Sequence, residues 1–180
     1  SDTVTFTVSG SELLISSAGV LTFASAPDYE TETSYTATVT ASDGTNTTTQ
    51  NITVNVTNLN DNSPVFTSDT TFSAAENQTT IGTVTGSDAD GETLSYSISG
   101  TDASSISVNS SSGALIFNSA PDYETKTSYT ATVTASDGTN TTTQNITVSV
   151  TNLNDNSPVF TSDTTFSAAE NQTTVGTVTA

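Results

Sequence analysis

The chain has 180 residues and a formal net charge of −18 at pH 7, because 19 acidic side chains stand against a single basic one, Lys126. This charge excludes nucleic acid and anionic membrane surfaces as partners, since both would be repelled, and it makes cations the natural counter-ions. The chain has no Cys and no His, which excludes disulfides and imidazole chemistry, and it has no apolar run long enough to span a membrane.

Most of the chain is a tandem repeat. Residues 25–85 recur as residues 119–179, an offset of 94 positions. Such a period exceeds the usual solenoid range and matches a whole small domain, so each repeat is expected to have its own core. The three differences between the copies are Glu32/Lys126, Asn55/Ser149 and Ile81/Val175.

The repeat divides the chain into three parts. We predict that residues 1–61 are the C-terminal part of one repeat, residues 62–155 a complete repeat, and residues 156–180 the N-terminal strands of a following repeat. In the complete repeat apolar residues recur at every second position, which indicates half-buried strands. These positions are Leu94, Tyr96, Ile98, Ile106, Val108, Leu115, Phe117, Tyr129, Ala131, Val133, Ile146, Val148 and Val150. The predicted fold class is all-β, with tandem Greek-key β-sandwiches of about seven strands each.

The acids are concentrated in five short motifs. Ala-Glu-Asn, Asp-Ala-Asp-Gly, Pro-Asp-Tyr-Glu, Ala-Ser-Asp-Gly and Asn-Asp-Asn-Ser-Pro recur in a fixed order and leave the strands nearly uncharged. Carboxylates together with amide and backbone oxygens are the ligand set of a hard divalent cation, above all calcium. Asp-x-Asp and Asp-x-Glu place two carboxylates on one side of an extended segment, where they can share an ion. The motifs therefore predict calcium binding.

Two other interpretations of these acids compete with calcium binding. Any single Asp is more often a turn or cap residue than a ligand. The stretch from Asp88 to Gly91 could also begin an EF-hand loop, but no Glu follows at the twelfth position and no helices flank it. Five motifs in register outweigh both interpretations.

In their order and approximate spacing the motifs resemble the cadherin repeat, over the whole length of the chain. The resemblance rests on Ala75-Glu76-Asn77, Asp88-Ala89-Asp90, Asp122-Tyr123-Glu124, Ala135-Ser136-Asp137 and the linker from Asn152 to Pro158. It implies an extracellular module with calcium ions, typically three, in the linker between consecutive repeats.

The resemblance also implies which residues hold these ions. On the upstream side of the first junction the implied ligands are Asp28, Glu30, the Leu59 carbonyl and Asp61. For the third ion they are the Asn60 side chain, the Asn62 carbonyl, Asp88, Asp90 and Asp137, with a carbonyl near Glu92. At the second junction they are Glu76, Asp122, Glu124, the Leu153 carbonyl, Asn154, Asp155 and Asn156. Asp43 and Glu170, the copies of Asp137 and Glu76 in the two partial repeats, complete the set.

The first function hypothesis is a non-enzymatic, calcium-rigidified spacer or adhesion module of a repetitive surface or fibre-forming protein. Near-identical repeats, almost no Lys and a surface of Thr, Ser and Asn favour a bacterial surface protein. The alternative is a carbohydrate- or protein-binding module of a secreted protein, which would need exposed aromatic residues. An enzyme could use paired carboxylates such as Asp28 and Glu30, but their place beside the acidic linker favours metal binding.

The two partial repeats are complementary in sequence. We expect residues 156–180 of one copy and residues 1–60 of the next to form a composite sandwich, so that neighbouring repeats, on separate or the same chains, complete each other head to tail in a fibre. The composite junction would have Asp2 and Asp43 from the downstream copy but no second Asp of an Asp-x-Asp pair, so it should hold its third calcium weakly.

Overall fold

The computed structural model describes residues 3–180, and Asp2 of the composite junction lies outside the described residues. Within this range the regular structure consists of strands and contains no helix, which confirms the all-β class. In chain order the strands are β1 (Thr5–Val8), β2 (Leu13–Ile15), β3 (Leu21–Phe23), β4 (Ser34–Ser42), β5 (Thr47–Asn55), β6 (Val65–Phe66), β7 (Thr71–Ala75), β8 (Thr80–Thr83), β9 (Gly86–Ser87), β10 (Ser95–Ser99), β11 (Ile106–Val108), β12 (Ala114–Phe117), β13 (Ser128–Ser136) and β14 (Thr141–Thr151).

The complete repeat is a β-sandwich. One sheet has the strand order β10-β13-β14-β7, the other has the order β11-β12-β8, and β6 and β9 form a short additional ladder. Neighbouring strands are antiparallel except β7 and β14, which run parallel from Thr71↔Thr147 to Ala75↔Thr151. β7 therefore lies beside the last strand, β14, and because the two run parallel the chain enters β7 at one end of the sandwich and leaves β14 at the other.

The core of the complete repeat follows the predicted alternation. The side chains of Val84, Leu115, Val133 and Val148 are fully buried between the two sheets. The ring of Phe117 packs edge-on against Tyr129, with 4.9 Å between the ring centroids. Burying each large aliphatic side chain contributes roughly 1.5–3 kcal/mol, and the outward positions between them carry Thr and Ser.

Residues 65–75 form two short strands, β6 and β7, and not one continuous strand. β6 pairs with β9, whereas β7 pairs with β14. The chain therefore changes its pairing partner between β6 and β7. At the break, the backbone N–H groups of Thr67 and Ser68 both donate to the Thr85 carbonyl, at 2.8 and 3.2 Å. Two residues opposite one carbonyl shift the register, as in a β-bulge. A break of this kind leaves no trace in the alternation of apolar residues.

The upstream partial repeat adopts part of the same fold, whereas the downstream one does not. Residues 3–61 form a three-stranded sheet, β1-β4-β5, and the β2-β3 hairpin. No strand forms between residues 152 and 180, and Val178 is 62% exposed there, although its copy Val84 is fully buried. The limits of the three parts stay predictions.

Candidate metal centre

The Pro-Asp-Tyr-Glu motifs form tight turns that present their acids on one side. Oδ1 of Asp28 accepts the backbone N–H of Glu30 at 3.2 Å, and Oδ2 accepts the Thr31 hydroxyl at 2.6 Å. The same turn recurs at Asp122. The Thr hydroxyl is the main reason that the pKa values of both Asp carboxyls lie below their usual range. Both carboxylates stay ionised and able to bind a cation.

Three carboxylates meet across the linker at the first junction. One carboxylate oxygen each from Glu30, Asp61 and Asp90 lie within 4.8 Å of one another. Glu30 belongs to the upstream partial repeat, Asp61 to the linker between β5 and β6, and Asp90 to the loop after β9 in the complete repeat. Burial, together with the nearby Asp90 and Asp28, raises the pKa of Glu30. The linker therefore joins acids from both repeats at one place.

Asp90 is held in position by the linker itself. Its Oδ2 accepts the backbone N–H groups of Asp61 and Asn62, at 3.1 and 2.8 Å, and its Oδ1 accepts the Asn62 amide at 3.0 Å. Its carbonyl accepts the Asn58 amide at 2.8 Å. The Asn62 side chain is the largest of the interactions that lower the pKa of Asp90. These bonds connect the linker to the downstream repeat through a single residue.

A second group of carboxylates shares Asp90. Oxygens of Asp88, Asp90 and Glu92 lie within 4.8 Å of one another. Oδ2 of Asp88 and Oε2 of Glu92 are buried and have no hydrogen-bond partner. Burial, followed by the nearby Asp88, raises the pKa of Glu92. Buried carboxylate oxygens without donors are costly, and this group therefore fits a cation.

Asp137 lies at the same junction. Its Oδ1 accepts the backbone N–H groups of Thr139 and Asn140, both at 2.6 Å. The Asn140 amide reaches from this loop to the Asn60 side chain and the Asn62 carbonyl. Burial opposes ionisation, but hydrogen bonds from Asn140 and Thr139 hold the pKa of Asp137 below its usual range. The loop between β13 and β14 therefore contacts the linker.

A third group forms at the second junction. Oxygens of Glu76, Asp122 and Glu124 lie within 4.8 Å of one another. Glu76 is only 2% exposed, and its two carboxylate oxygens accept the backbone N–H groups of Tyr123 and Leu153, at 2.9 and 2.6 Å. Asp155 is linked to the same edge by the Asn77 amide, at 2.6 Å. Glu76 thus ties the end of β7 to the linker that leaves β14.

The other predicted ligands are less directly placed. The Leu59 carbonyl accepts the N–H of Asp61 at 2.9 Å, which leaves its second lone pair free to bind an ion. Asp43 accepts the backbone N–H groups of Thr45 and Asn46 within its own loop. Asn154, Asn156 and Glu170 are exposed in residues 152–180, and Glu170 belongs to none of the three carboxylate groups.

The Glu92 side chain is a candidate ligand that the sequence interpretation missed, since only a carbonyl near it was expected. The signal was present, because Glu92 follows Asp90 at spacing two and extends Asp-x-Asp to Asp-x-Asp-x-Glu. The three groups offer carboxylate oxygens, and carbonyl and amide oxygens lie beside them. An all-oxygen donor set fits calcium better than a softer metal.

A family model described as "Cadherin domain" matches residues 70–151. Together with the β-sandwich and the carboxylates at the repeat boundary, this match defines the class as extracellular adhesion domains. Residues 70–151 therefore form a cadherin repeat, as the motifs predicted.

Three known proteins illustrate the similarity. Human "Protocadherin Fat 1" is 41% identical over 150 residues, which are 74% of this chain and 3% of that protein. The Drosophila "Protocadherin-like wing polarity protein stan" is 32% identical over 159 residues, which are 79% of this chain and 4% of that protein. The structure "Protocadherin gammaB7 EC3-6 cis-dimer structure" has a TM-score of 0.78 and 31% identity, and the match covers 87% of this chain and 43% of that one.

These similarities confirm several predictions. Cadherins are adhesion proteins and not enzymes, their domains are extracellular, and cadherin domains generally bind calcium. The chain spans only 3% to 4% of the length of the two curated relatives. Within residues 3–180 no helix is long and apolar enough to cross a membrane. The two relatives are from human and fly, so a bacterial origin stays a prediction.

Proposed function

We propose that this chain is a calcium-rigidified spacer or adhesion module of a repetitive extracellular protein. The observation that carries the proposal is the group of Glu30, Asp61 and Asp90, which takes one carboxylate from each repeat and one from the linker between them. A cation at this place contacts both repeats at once. Calcium would be held there by these acids. A second calcium would be held by Asp88, Glu92 and Asp137, which lie in loops of the complete repeat beside the linker.

The mechanism is electrostatic. Two carboxylates about 4 Å apart repel each other by roughly 1 kcal/mol in bulk water and by about 4 kcal/mol at an effective dielectric constant of 20. Each junction brings several such pairs together, so without metal the repeats are pushed apart. Divalent cations cancel this charge and hold consecutive repeats end to end.

Small-angle scattering of the 180-residue chain tests this function. We expect calcium to give a narrow distribution of interatomic distances, and an excess of chelator to broaden it. The core of each sandwich lies away from the ligands, so circular dichroism should report intact strands in chelator. A maximum dimension that is the same with calcium and with chelator would rule out the rigidity mechanism.

The variant Glu30→Gln tests the ligand assignment. It removes one charge from the group that spans the linker, and we expect calcium affinity at the first junction to fall roughly tenfold, because ligand charge sets the affinity of calcium sites. Asp69→Asn is the matched control, since Asp69 is an exposed acid outside the motifs. Calorimetry on both variants gives the answer, and equal losses of affinity would contradict the assignment.

We further propose that neighbouring copies, whether on separate chains or consecutive in a longer one, complete each other head to tail in a fibre of the kind found on bacterial surfaces. The support is the difference in burial between two nearly identical segments. Val178 is 62% exposed and Val175 60% exposed, whereas their copies in the complete repeat, Val84 and Ile81, are buried. In that repeat Thr71–Ala75 pairs with Thr147–Thr151. The copies of these two segments, residues 165–169 and 53–57, are expected to pair between neighbours.

The alternative of a carbohydrate- or protein-binding module has no comparable support. Such a site would use exposed aromatic rings. Tyr35, Tyr96 and Tyr129 instead form ring pairs with Phe side chains of their own repeats. These rings serve packing.

A further inference from the structure

The Asn140 side chain occupies an unusual position at the first junction. Its amide nitrogen, Nδ2, lies 3.1 Å from the side-chain oxygen of Asn60, 2.9 Å from the carbonyl of Asn62 and 3.3 Å from Oδ2 of Asp137. An amide group has only two N–H donors. Three acceptor oxygens therefore lie around two N–H donors, so two of the oxygens must share one N–H group.

These three oxygens come from the linker and from the complete repeat. Asn60 and Asn62 belong to the linker, whereas Asp137 belongs to the loop between β13 and β14 of the complete repeat. All three are among the oxygens expected to hold the third ion. The partially positive NH₂ group of Asn140 thus lies among three oxygens that a cation would otherwise bind.

We propose that Asn140 is a metal-free latch, which binds the linker to the Asp137 loop and competes with calcium for the same three oxygens. This inference rests on the proposed function, namely that the junction binds calcium. Calcium lies 2.3–2.6 Å from its oxygen ligands. The amide nitrogen is only slightly farther from the same oxygens, so the ion and the amide cannot occupy the place together.

The latch has two consequences. Without calcium, Asn140 keeps the linker aligned with the complete repeat and limits the separation that carboxylate repulsion would cause. With calcium, the amide must leave, and the bonds that it loses reduce the apparent affinity of the third site. The same side chain therefore makes the junction less flexible without calcium and lowers the affinity of the junction for calcium.

Asn46, the copy of Asn140 in the upstream repeat, provides a comparison. Its backbone N–H donates to Asp43 at 2.7 Å, as Asn140 does to Asp137. Among the described residues, its amide nitrogen contacts only Asp43, at 3.2 Å, and the side chain is exposed. The turn is thus conserved between the copies, and contact with a linker distinguishes Asn140.

The variant Asn140→Ala tests the latch. It keeps the backbone N–H that supports Asp137 and removes the amide. We expect calcium affinity at the third site to rise about tenfold, as the loss of one or two competing hydrogen bonds predicts. The affinity is read by nuclear magnetic resonance from the amide signals of residues 88–92 and 137–140 during a calcium titration. Asn46→Ala is the matched control and should leave these signals and the affinity unchanged.

Residual dipolar couplings in chelator give a second readout that needs no metal. Asn140→Ala should widen the range of orientations between residues 3–61 and the complete repeat, while the dispersed spectrum confirms that the variant is folded. An unchanged affinity together with unchanged couplings would overturn the latch, and a lower affinity would show that Asn140 is a ligand and not a competitor. If the wild-type chain bound no calcium, the proposed function would fail, but the couplings would still decide whether the latch exists.

Discussion

Asp90 is the acid that the two carboxylate groups of the first junction share. It belongs to two carboxylate groups, and its side chain accepts three hydrogen bonds from the linker. An anion that is already bonded to backbone N–H groups is positioned before a metal arrives. Asp90 can therefore serve two neighbouring ions without a change of its own conformation.

Glu92 is a residue whose substitution should have opposite effects with and without calcium. Its Oε2 is buried without a donor, and burial, followed by the neighbouring acids, raises the pKa of Glu92. We expect Glu92→Gln to lower calcium affinity roughly tenfold, because a charged ligand is lost, and to raise the unfolding temperature in chelator, because a repulsive charge is removed. Calorimetry and thermal unfolding measure the two effects.

Glu12→Gln is a suitable control for Glu92→Gln, since Glu12 is exposed and, among the described residues, its side chain accepts a hydrogen bond only from the neighbouring Ser11 hydroxyl. It should change neither quantity. A Glu92→Gln variant with full calcium affinity would show that the carboxylate is not a ligand.

At the scale of single residues, the sequence predicted the acids of the junctions but not all of their neighbours. The motifs identified Glu30, Asp61 and Asp90, because the spacing of acids in extended segments follows from strand geometry. They did not identify the contact of Asn140 with the linker. That contact joins residues about 80 positions apart and depends on the path of the linker.

At the scale of strands and loops, the only basic residue of the chain stabilises the complete repeat. Lys126 Nζ donates to Asp102 at 2.5 Å and lies 4.6 Å from the centre of the Tyr129 ring. Asp102 also accepts the backbone N–H of Thr130 at 2.8 Å. These contacts fasten the loop between β10 and β11 to the start of β13, and Glu32 replaces the lysine in the upstream copy.

This contact predicts a dependence of stability on pH. Lys126 first, and then Thr130, hold the pKa of Asp102 below its usual range. A lowered pKa in the folded state stabilises the fold above the ordinary pKa of the group, and this stabilisation is lost as the pH falls through the lowered value. In chelator we expect the unfolding temperature of the complete repeat to fall in that acidic range.

Asp102→Asn provides the comparison. At pH 7 it should lower the unfolding temperature by about 4–8 °C, which corresponds to roughly 1 kcal/mol in a domain of this size. It should also flatten the acidic part of the pH profile, as calorimetric scans at several pH values would detect. If the variant and the wild type lost stability in parallel on acidification, Asp102 would not be the responsible group.

At the scale of the whole molecule, the partial repeats decide how copies associate. Val178 is exposed, but its copy Val84 is fully buried in the complete repeat. If copies complete each other, Val178→Asp places a charge in a core and should abolish head-to-tail association, measured by sedimentation in calcium.

Val159→Asp is the matched control, because both Val159 and its copy Val65 are exposed, at 74% and 61%. This variant should associate as the wild type does. Association that survives Val178→Asp, or that both variants weaken equally, would contradict the composite sandwich.

The sequence by itself determined the repeat, the strands and the acids of the junctions. Repeats, alternation and motif spacing are local or periodic properties, and they suffice to place half-buried strands and paired carboxylates. The tertiary structure decided where β6 gives way to β7, which oxygens of Asp88 and Glu92 are buried without partners, and which linker residues Asn140 reaches. It also decided that nearly identical segments differ in burial, with Val84 in a core and Val178 in solvent. The physical reason is that pairing and burial require the rest of the sandwich, and residues far along the chain supply that partner.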